Sequence, residues 1–315
     1  MSKQVRVCSM LGLVFGTAVV PMQAVAQSSH TVSLPEVELH YEVFGEGFPI
    51  LLLAGGPGAS NKLMMRLVPE LQDSWQLVLI DQRATGQSHL QQIDSSTINL
   101  DDYVEDIEAV RRDLGADSVL LLGHSWGGML AMAVAAKYPD HVAGMILVGS
   151  GGMDLENFYA AQANVWDSPE SQRVFEFWGA PERFAANPQL ALYEIYRAIM
   201  PSRVFDPADV MEVMADLKFD DIELSMPEVA ELMFQDLGRI GYDLRPQLRS
   251  YQRPVLVVQG YSGFMVHAAY QIRDNIPGAR TAFIDRCGHF PYHEQPEAFY
   301  KVVREFLNQH FVEGT

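Results

Sequence analysis

The sequence has little cysteine and few basic residues, and both shortages narrow what the protein can be. Its 315 residues include two cysteines, Cys8 and Cys287. Cys8 falls in an N-terminal segment that we predict to be removed, so one thiol remains and no internal disulfide can form. Lysine and arginine number 22 against 40 aspartates and glutamates, a formal net charge of −18. Phosphate backbones attract basic surfaces, so we expect no nucleic-acid partner.

Long apolar runs are scarce, and the one extended stretch lies at the N-terminus. It runs from Val7 to about Val20, follows two basic residues and precedes the small-x-small pattern of residues 24–26. We interpret residues 1–26 as a signal peptide, which predicts a periplasmic or secreted protein. A membrane anchor is the alternative, but the stretch is short and Pro21 follows it. We therefore expect no stable membrane span after signal removal.

Short buried-looking runs alternate with helical stretches along most of the chain. Runs rich in Val, Ile and Leu predict six parallel strands, at residues 50–53, 77–80, 119–122, 145–148, 255–258 and 281–284. Helical periodicity predicts helices at residues 100–114, 126–138 and 297–311, and residues 31–43 fit an antiparallel hairpin. This alternation predicts an α/β fold with a mostly parallel central sheet and helices on both faces.

The alternation stops between residues 153 and 245. That segment has helical periodicity, six prolines and a net charge of −11. We interpret it as an inserted helical cap, with residues 27–152 and 246–315 forming the core. The acidity would suit a cationic or amine-bearing substrate, but it also suits a protein that is merely highly soluble.

The strongest chemical motif is the block GHSWG at residues 123–127, which follows a predicted strand and opens a predicted helix. Glycines two residues before and two after Ser125 permit a sharp strand-to-helix turn. Such a turn exposes the Ser125 hydroxyl at the carboxyl end of the sheet, where α/β proteins bind ligands. Ser125 is therefore the candidate nucleophile.

A second block, AGGPG at residues 54–58, follows the first predicted parallel strand. Its freed backbone amides could bind a developing oxyanion, and we pair the amide of Gly56 with that of Trp126. A phosphate-binding loop is the alternative, but the Lys-Ser or Lys-Thr that such a loop requires does not follow.

The candidate general base is His289, which lies in the block GHF between the last predicted strand and the last helix. A histidine there can reach a serine on a central strand, and its pKa suits proton transfer near neutral pH. His124, His267 and His293 are weaker candidates by position. Cys287 lies two residues before His289 and is interpreted as a buried spacer rather than a reactive thiol.

These blocks resemble the α/β-hydrolase superfamily and, more narrowly, the proline iminopeptidase-type serine peptidases. The chain reads AGGPG, DQRATGQS, GHSWGG and GHF where those peptidases have HGGPG, DQRGxGxS, GxSWG and GH. The resemblance implies a Ser-His-acid hydrolase. In the DQR block we interpret Asp81 and Arg83 as structural. Ala54 and Ala84 depart from the peptidase pattern.

The resemblance also implies cap glutamates that hold a substrate's amino group. Glu176, Glu194 and Glu231 are the candidates, with Glu194 preferred for substrate binding. Each could equally be a solvated carboxylate on a helix face.

The third member of the triad is missing from its usual place. The pattern G-x-x-D after the penultimate strand reads Gly260-Tyr-Ser-Gly263 here, and no acidic residue occurs between residues 260 and 273. Three explanations remain open. Asp154, beyond the neighbouring strand, supplies the acid unless it only caps the next helix; a Ser-His dyad works alone; or the chain is a weakened member of the fold that binds a ligand.

The sequence thus predicts an exported serine hydrolase that cleaves a small amide or peptide through an acyl-enzyme on Ser125. A carboxylesterase or lactonase acting on small acyl esters is the first alternative, and a non-catalytic binding protein is the second. No spacing of His, Cys, Asp or Glu matches a metal site, and no organic cofactor is expected. The expected partner is a small molecule or a small peptide.

Overall fold

The computed structural model describes residues 28–59, 61–166, 168–217 and 227–312. The predicted signal peptide lies outside these residues. The described residues form nine strands: β1 (Ser28–Ser33), β2 (Val37–Phe44), β3 (Pro49–Leu53), β4 (Gln76–Ile80), β5 (His89–Leu90), β6 (Val119–His124), β7 (Val142–Val148), β8 (Val255–Gly260) and β9 (Arg280–Ile284).

Thirteen α-helices are formed by the same residues: α1 (Val68–Leu71), α2 (Leu100–Asp113), α3 (Trp126–Lys137), α4 (Leu155–Trp166), α5 (Pro169–Trp178), α6 (Pro181–Ala186), α7 (Pro188–Ile199), α8 (Val210–Leu217), α9 (Pro227–Ile240), α10 (Arg245–Leu248), α11 (Val266–Asn275), α12 (Pro291–Glu294) and α13 (Pro296–Phe311). Three 3₁₀ helices lie at Asn61–Leu67, Met200–Ser202 and Pro207–Asp209.

The strands form one mixed sheet in the order β1-β2-β4-β3-β6-β7-β8-β9, with β5 paired to β2. Strands β3, β4 and β6 to β9 are parallel to their neighbours in that run, whereas β1, β2 and β5 pair antiparallel. The predicted fold class is confirmed, and each of the six predicted parallel strands is present. Because these strands run in one direction, their carboxyl ends all meet at one edge of the sheet.

Both faces of the central strands are buried, which explains their continuous apolar runs. Along β3, Leu51 and Leu53 pack into a core that includes residues of α2 and α3. Ile50 and Leu52 point to the other face and pack into a core that includes residues of α13. The helices therefore sandwich the sheet, and the sheet's edge is left for chemistry.

Between β7 and β8 the described chain forms the helices α4 to α10. Proline occupies the first turn of α5, α6 and α7, where its missing N–H is unneeded, so these prolines start helices rather than break them. The boundaries proposed for the cap, residues 153 and 245, stay a prediction. None of the helices formed by the described residues is long and apolar enough to cross a membrane.

Candidate active site at the carboxyl edge of the sheet

Ser125 lies in the sharp turn between β6 and α3. Its φ and ψ are 56° and −116°, a strained conformation that a non-glycine residue adopts only where its surroundings impose it. The residues two positions before and after Ser125 must be glycine. A Cβ on Gly123 would collide with the backbone of Gly127, and one on Gly127 would collide with Leu53. The spacing of the two glycines is therefore a packing requirement of the turn.

The loop that follows β3 passes directly against Ser125. A Cβ on Gly55 would lie 3.3 Å from the Ser125 Cβ, and Gly56 has a φ of +116°. Among the described residues, the amides of Gly56 and Trp126 donate no backbone hydrogen bond. Trp126 is the first residue of α3, where amides have no partner within the helix and the helix dipole favours negative charge. Both amides are thus available to an oxyanion.

Gln82 joins the three loops of this half of the site. Its Oε1 accepts a hydrogen bond of 3.0 Å from the Trp126 indole, and its Nε2 donates one of 2.9 Å to the carbonyl of Ala54. Gln82 is buried, so these bonds are sheltered from water. They fix the elbow relative to the oxyanion loop.

Asp81 and Arg83 stabilise the loop after β4 and do not reach Ser125. Asp81 accepts hydrogen bonds from the His40 ring at 2.9 Å and the Gln87 amide at 3.0 Å. Arg83 forms two bonds of 2.7 Å with the buried carboxylate of Asp106. These contacts match the structural role expected for both residues.

His289 lies in the loop between β9 and α12, beside the tip of β7. A Cβ on Gly149, which follows β7, would lie 3.0 Å from the His289 Nδ1. The Ser125 amide donates to the carbonyl of Val148, the last residue of β7, at 2.9 Å. The structure therefore brings Ser125 and His289 to the tips of two adjacent strands.

The backbone of His289 is bonded on both sides, but its ring is not. Its amide donates to the Arg203 carbonyl at 2.7 Å, and its carbonyl accepts from the His124 ring at 3.1 Å. The buried Nδ1 has no hydrogen-bond partner. Among the described residues, no hydrogen bond joins the Ser125 hydroxyl to this ring. The imidazole is instead packed between the rings of His124 and Phe264, at centroid distances of 4.7 and 4.6 Å.

Asp154, the tentative acid, is engaged elsewhere. It caps α4 by accepting from the Asn157 amide at 2.9 Å, and its other oxygen lies 3.2 Å from the Arg245 guanidinium and accepts from Gln271. The structure does not bring it to the His289 ring. A carboxylate beyond β7 is drawn to the amides of the helix that starts there and to a nearby cation, so the helix-cap interpretation describes its contacts.

The usual place of the acid is filled by an amide. A Cβ on Gly263 would collide with the Gln259 Nε2 and lie 2.9 Å from the Gly288 carbonyl. Gln259 is buried, donates weakly to the Gly260 carbonyl at 3.3 Å, and has no hydrogen-bond partner for its Oε1. Glycine at position 263 therefore makes room for the Gln259 side chain.

Burial and nearby charge keep both site histidines neutral. The pKa of His289 is held well below its usual value, chiefly by burial and further by His124 and the Arg203 guanidinium. Burial likewise lowers the pKa of His124 to about 4. A neutral His289 can accept a proton at neutral pH, but no carboxylate of the described residues pairs with its ring to stabilise the resulting imidazolium.

Two residues that hold the His289 loop in place were not predicted from the sequence, namely Glu294 and Arg203. Glu294, in α12, accepts from the amides of Gly288 at 2.8 Å and Phe290 at 3.0 Å, on either side of His289, and from Phe205 of the cap at 2.7 Å. The backbone carbonyl of Arg203 accepts a hydrogen bond from the His289 amide. Neither has a motif, because a carboxylate in a helix's first turn and an arginine between helices are ordinary surface patterns.

Among the described residues, none of the three predicted substrate-binding glutamates forms a hydrogen bond or ion pair with Ser125 or His289. Glu176 and Glu231 are exposed, and Glu194 is half-buried in an ion pair of 2.9 Å with Arg197. Cys287 is buried, and burial raises the pKa of its thiol, as expected of a spacer. The described residues contain no group of three His, Cys, Asp or Glu side chains able to hold a metal ion.

Comparison with known proteins identifies the family. The alpha/beta hydrolase fold family matches residues 49–296. This chain belongs to that family. It is 26% identical over 290 residues to a proline iminopeptidase of Saccharolobus solfataricus, covering 85% of this chain and 87% of that protein. It is 25% identical over 288 residues to a 2-(acetamidomethylene)succinate hydrolase of Mesorhizobium japonicum, covering 89% and 95%.

Solved structures agree on the fold. A proline iminopeptidase of Mycobacterium smegmatis superimposes with a TM-score of 0.66 at 24% identity, covering 90% of this chain and 98% of that one. The α/β-hydrolase chain described here is therefore a serine hydrolase, of the peptidase or the esterase kind. The resemblance drawn from the four sequence blocks is confirmed.

Proposed function

We propose that this α/β hydrolase is exported and cleaves a small amide or peptide, in the manner of an aminopeptidase, through an acyl-enzyme on Ser125. The observation that carries the proposal is the strained elbow, which holds Ser125 between two unengaged amides and the strand tip where His289 lies. Export rests on the signal-like residues 1–26.

In this mechanism the Ser125 Oγ attacks the substrate carbonyl while His289 takes its proton. The amides of Gly56 and Trp126 stabilise the oxyanion as charge develops. His289 then gives the proton to the leaving amine, which departs and leaves the acyl group on Ser125. Water, deprotonated by His289, attacks the acyl-enzyme and frees the serine.

The contacts of His289 favour a Ser-His dyad over a relocated acid. Asp154 is engaged by Asn157, Arg245 and Gln271, whereas packing against two rings orients the imidazole. Loss of the acid costs about 10⁴ in turnover where it has been measured in triads, yet catalysis survives through the oxyanion hole and binding. A slow but specific hydrolase is the expected outcome.

The names of relatives support amide cleavage, because one is a proline iminopeptidase and another is named as the hydrolase of an acetamido compound. One observation favours the second candidate, an esterase or lactonase. The glutamates proposed to hold a substrate's amino group, Glu176, Glu194 and Glu231, lie on the surface or in an ion pair. The contacts of the described residues therefore assign an amine-binding role to none of these three glutamates.

Labelling with a fluorophosphonate tests the proposal, because the reagent reacts with an activated serine. We expect wild type to be labelled, and S125A not to be. S250A changes an exposed serine and is the matched control, expected to label like wild type. A folded wild-type protein that fails to label would favour the non-catalytic binding protein. Aminoacyl and short-chain acyl 4-nitrophenyl substrates then separate a peptidase from an esterase.

A further inference from the structure

An arginine of the cap lies against the loop that carries His289. Arg203 follows the short helix Met200–Ser202, and its carbonyl accepts the His289 amide at 2.7 Å. The approach is close because position 288 is glycine: a Cβ there would lie 2.8 Å from the Val204 Cα. The backbone contact fixes Arg203 beside the candidate base.

The side chain of Arg203 lies beside two aromatic rings, those of Phe264 and Tyr196. Its guanidinium carbon lies 5.5 Å from the centre of the Phe264 ring and 6.0 Å from that of Tyr196. The Phe264 ring also contacts the His289 imidazole, at 4.6 Å between centroids. One aromatic ring therefore touches both the guanidinium and the imidazole.

This guanidinium has no counterion among the described residues. The Nε is buried without a hydrogen-bond partner, and no carboxylate of the described chain lies within ion-pair distance. Its positive charge opposes protonation of His289 and of His124. Arg203 as a whole is partly exposed. An unpaired guanidinium that is partly removed from water destabilises a folded protein, whereas pairing it with a carboxylate offsets that loss.

We propose that Arg203 binds a carboxylate of the substrate, so that the substrates of this hydrolase are acyl compounds carrying a carboxylate near the scissile bond. The inference deepens the proposed function and rests on it. The planar guanidinium suits a carboxylate, which it can bind with two parallel hydrogen bonds. A single cation matches a singly charged group better than a phosphate dianion.

The bound carboxylate would also assist the base. In the free enzyme, the Arg203 charge disfavours an imidazolium at position 289. A substrate carboxylate on Arg203 neutralises that charge, so protonation of His289 during Ser125 attack becomes less costly. The carboxylate of an anionic substrate thereby stabilises the imidazolium in part, as a triad acid would, whereas a neutral analogue does not.

Paired esters provide the test. The 4-nitrophenyl monoesters of glutaric and adipic acid carry a free carboxylate, and the corresponding methyl esters do not. We expect kcat/KM of wild type to be at least about tenfold higher for the better acid than for its methyl ester, the effect of charged hydrogen bonds. In R203Q that ratio is expected to fall to about one, and in R203K to lie between.

R197Q is the matched control, because Arg197 is a half-exposed arginine of the same cap that pairs with Glu194. It is expected to keep the wild-type ratio. A wild-type ratio near one, or an R203Q ratio equal to wild type, would overturn the inference even where both esters are cleaved and Ser125 is labelled. If R203Q does not fold, inhibition of wild type by glutarate but not by glutaramide supports the inference, and equal inhibition overturns it.

Failure of the proposed function has a different signature. In that case neither ester of a pair is turned over and fluorophosphonate does not label Ser125. The two failures are therefore distinguishable with the same protein preparations.

Discussion

The two halves of the candidate site are held in different ways. On the serine side, side-chain hydrogen bonds join the elbow, the oxyanion loop and the loop after β4 through Gln82. On the histidine side, the backbone of His289 is bonded but its buried Nδ1 has no partner. The oxyanion machinery is thus preorganised by directional bonds, whereas the base is oriented by ring packing.

Directional hydrogen bonds and ring packing suit different tasks in a hydrolase of this fold. Charge that develops on the substrate oxygen needs donors at fixed positions, because misplaced donors lose most of their stabilisation. An imidazole needs only the right plane and tautomer, and aromatic neighbours together with a fixed backbone can set the plane. The cost falls on the imidazolium, because no carboxylate in the part of the chain that the structure describes pairs with it.

The greatest loss of turnover is expected on replacing His289, and the same replacement at His124 shows whether the loss is specific to the base. We expect H289N to lower kcat by about 10⁴, because it removes the base. H124N is expected to lower it by less than about tenfold, since His124 bonds the His289 carbonyl and does not transfer the proton. Steady-state kinetics on an activated ester measures both. Equal losses in the two variants would contradict the assignment of the base to His289.

Acid should destabilise the fold through the same buried histidines. The pKa of His124 is about 4 in the folded chain and about 6.5 in an unfolded one. The unfolded state therefore binds the proton first. The free energy of unfolding should be at its full value above pH 6.5 and fall by about 3 kcal/mol on account of His124 as the pH drops toward 4.

Urea unfolding at pH 7.5, 5.5 and 4.5 measures this loss. H124N should show a flatter decline between pH 6.5 and 4 than wild type, whereas H89N, which changes an exposed histidine, should decline like wild type. Identical slopes for all three proteins would mean that folding does not lower the pKa of His124. The depressed pKa of His289 also predicts that activity persists below pH 6.5, because the base stays neutral there.

Replacing Glu294 measures how far the hydrogen bonds of the backbone around His289 contribute to turnover. Its carboxylate accepts the amides of Gly288, Phe290 and Phe205. E294Q should lower kcat about tenfold with little change in KM, and lower the free energy of unfolding by about 2 kcal/mol, because an amide accepts these bonds less well. E297Q, on the exposed face of α13, is the control. A drop in stability without a drop in kcat would make Glu294 structural only.

Introducing a carboxylate beside His289 tests whether the histidine side of the site limits turnover. G263D alone should destabilise the fold, since the new Cβ would collide with the Gln259 Nε2. The double variant G263D/Q259A removes that obstacle and places a carboxylate at the fourth position of the G-x-x-D pattern that begins at Gly260. We expect kcat to rise about tenfold over Q259A alone. No gain in a folded double variant would show that imidazole orientation does not limit turnover.

The elements and the sharp turn that carries Ser125 were predictable from sequence, and the contacts of Asp154 were not. The runs that became β3, β4 and β6 to β9 are apolar because both faces of the sheet are covered, so composition alone reveals them. Ser125 was predictable because glycines at 123 and 127 report a backbone that tolerates no Cβ. These signals are local, and local sterics leave a mark on the sequence.

Contacts between distant segments leave no such mark. Arg203 and Glu294 meet the His289 loop from the cap and from the next helix, so no spacing announces them. Asp154 was a reasonable candidate because it follows the strand beside Ser125. Its direction, however, is decided by Asn157, Arg245 and Gln271, and two of these partners lie about a hundred residues away.

The smallest effect on turnover is expected at Asp154, and it decides whether packing alone orients the base. Because its carboxylate caps α4 and lies 3.2 Å from Arg245, D154N should change kcat by less than about threefold. An asparagine caps a helix about as well as an aspartate, so the loss of the ion pair should lower the free energy of unfolding by at most about 1 kcal/mol. D243N, which weakens the other carboxylate bonded to Arg245, is the matched control for stability. A large loss of kcat in D154N alone would mean that Asp154 reaches His289 during turnover, and the histidine side would then be held by a directional bond like the serine side.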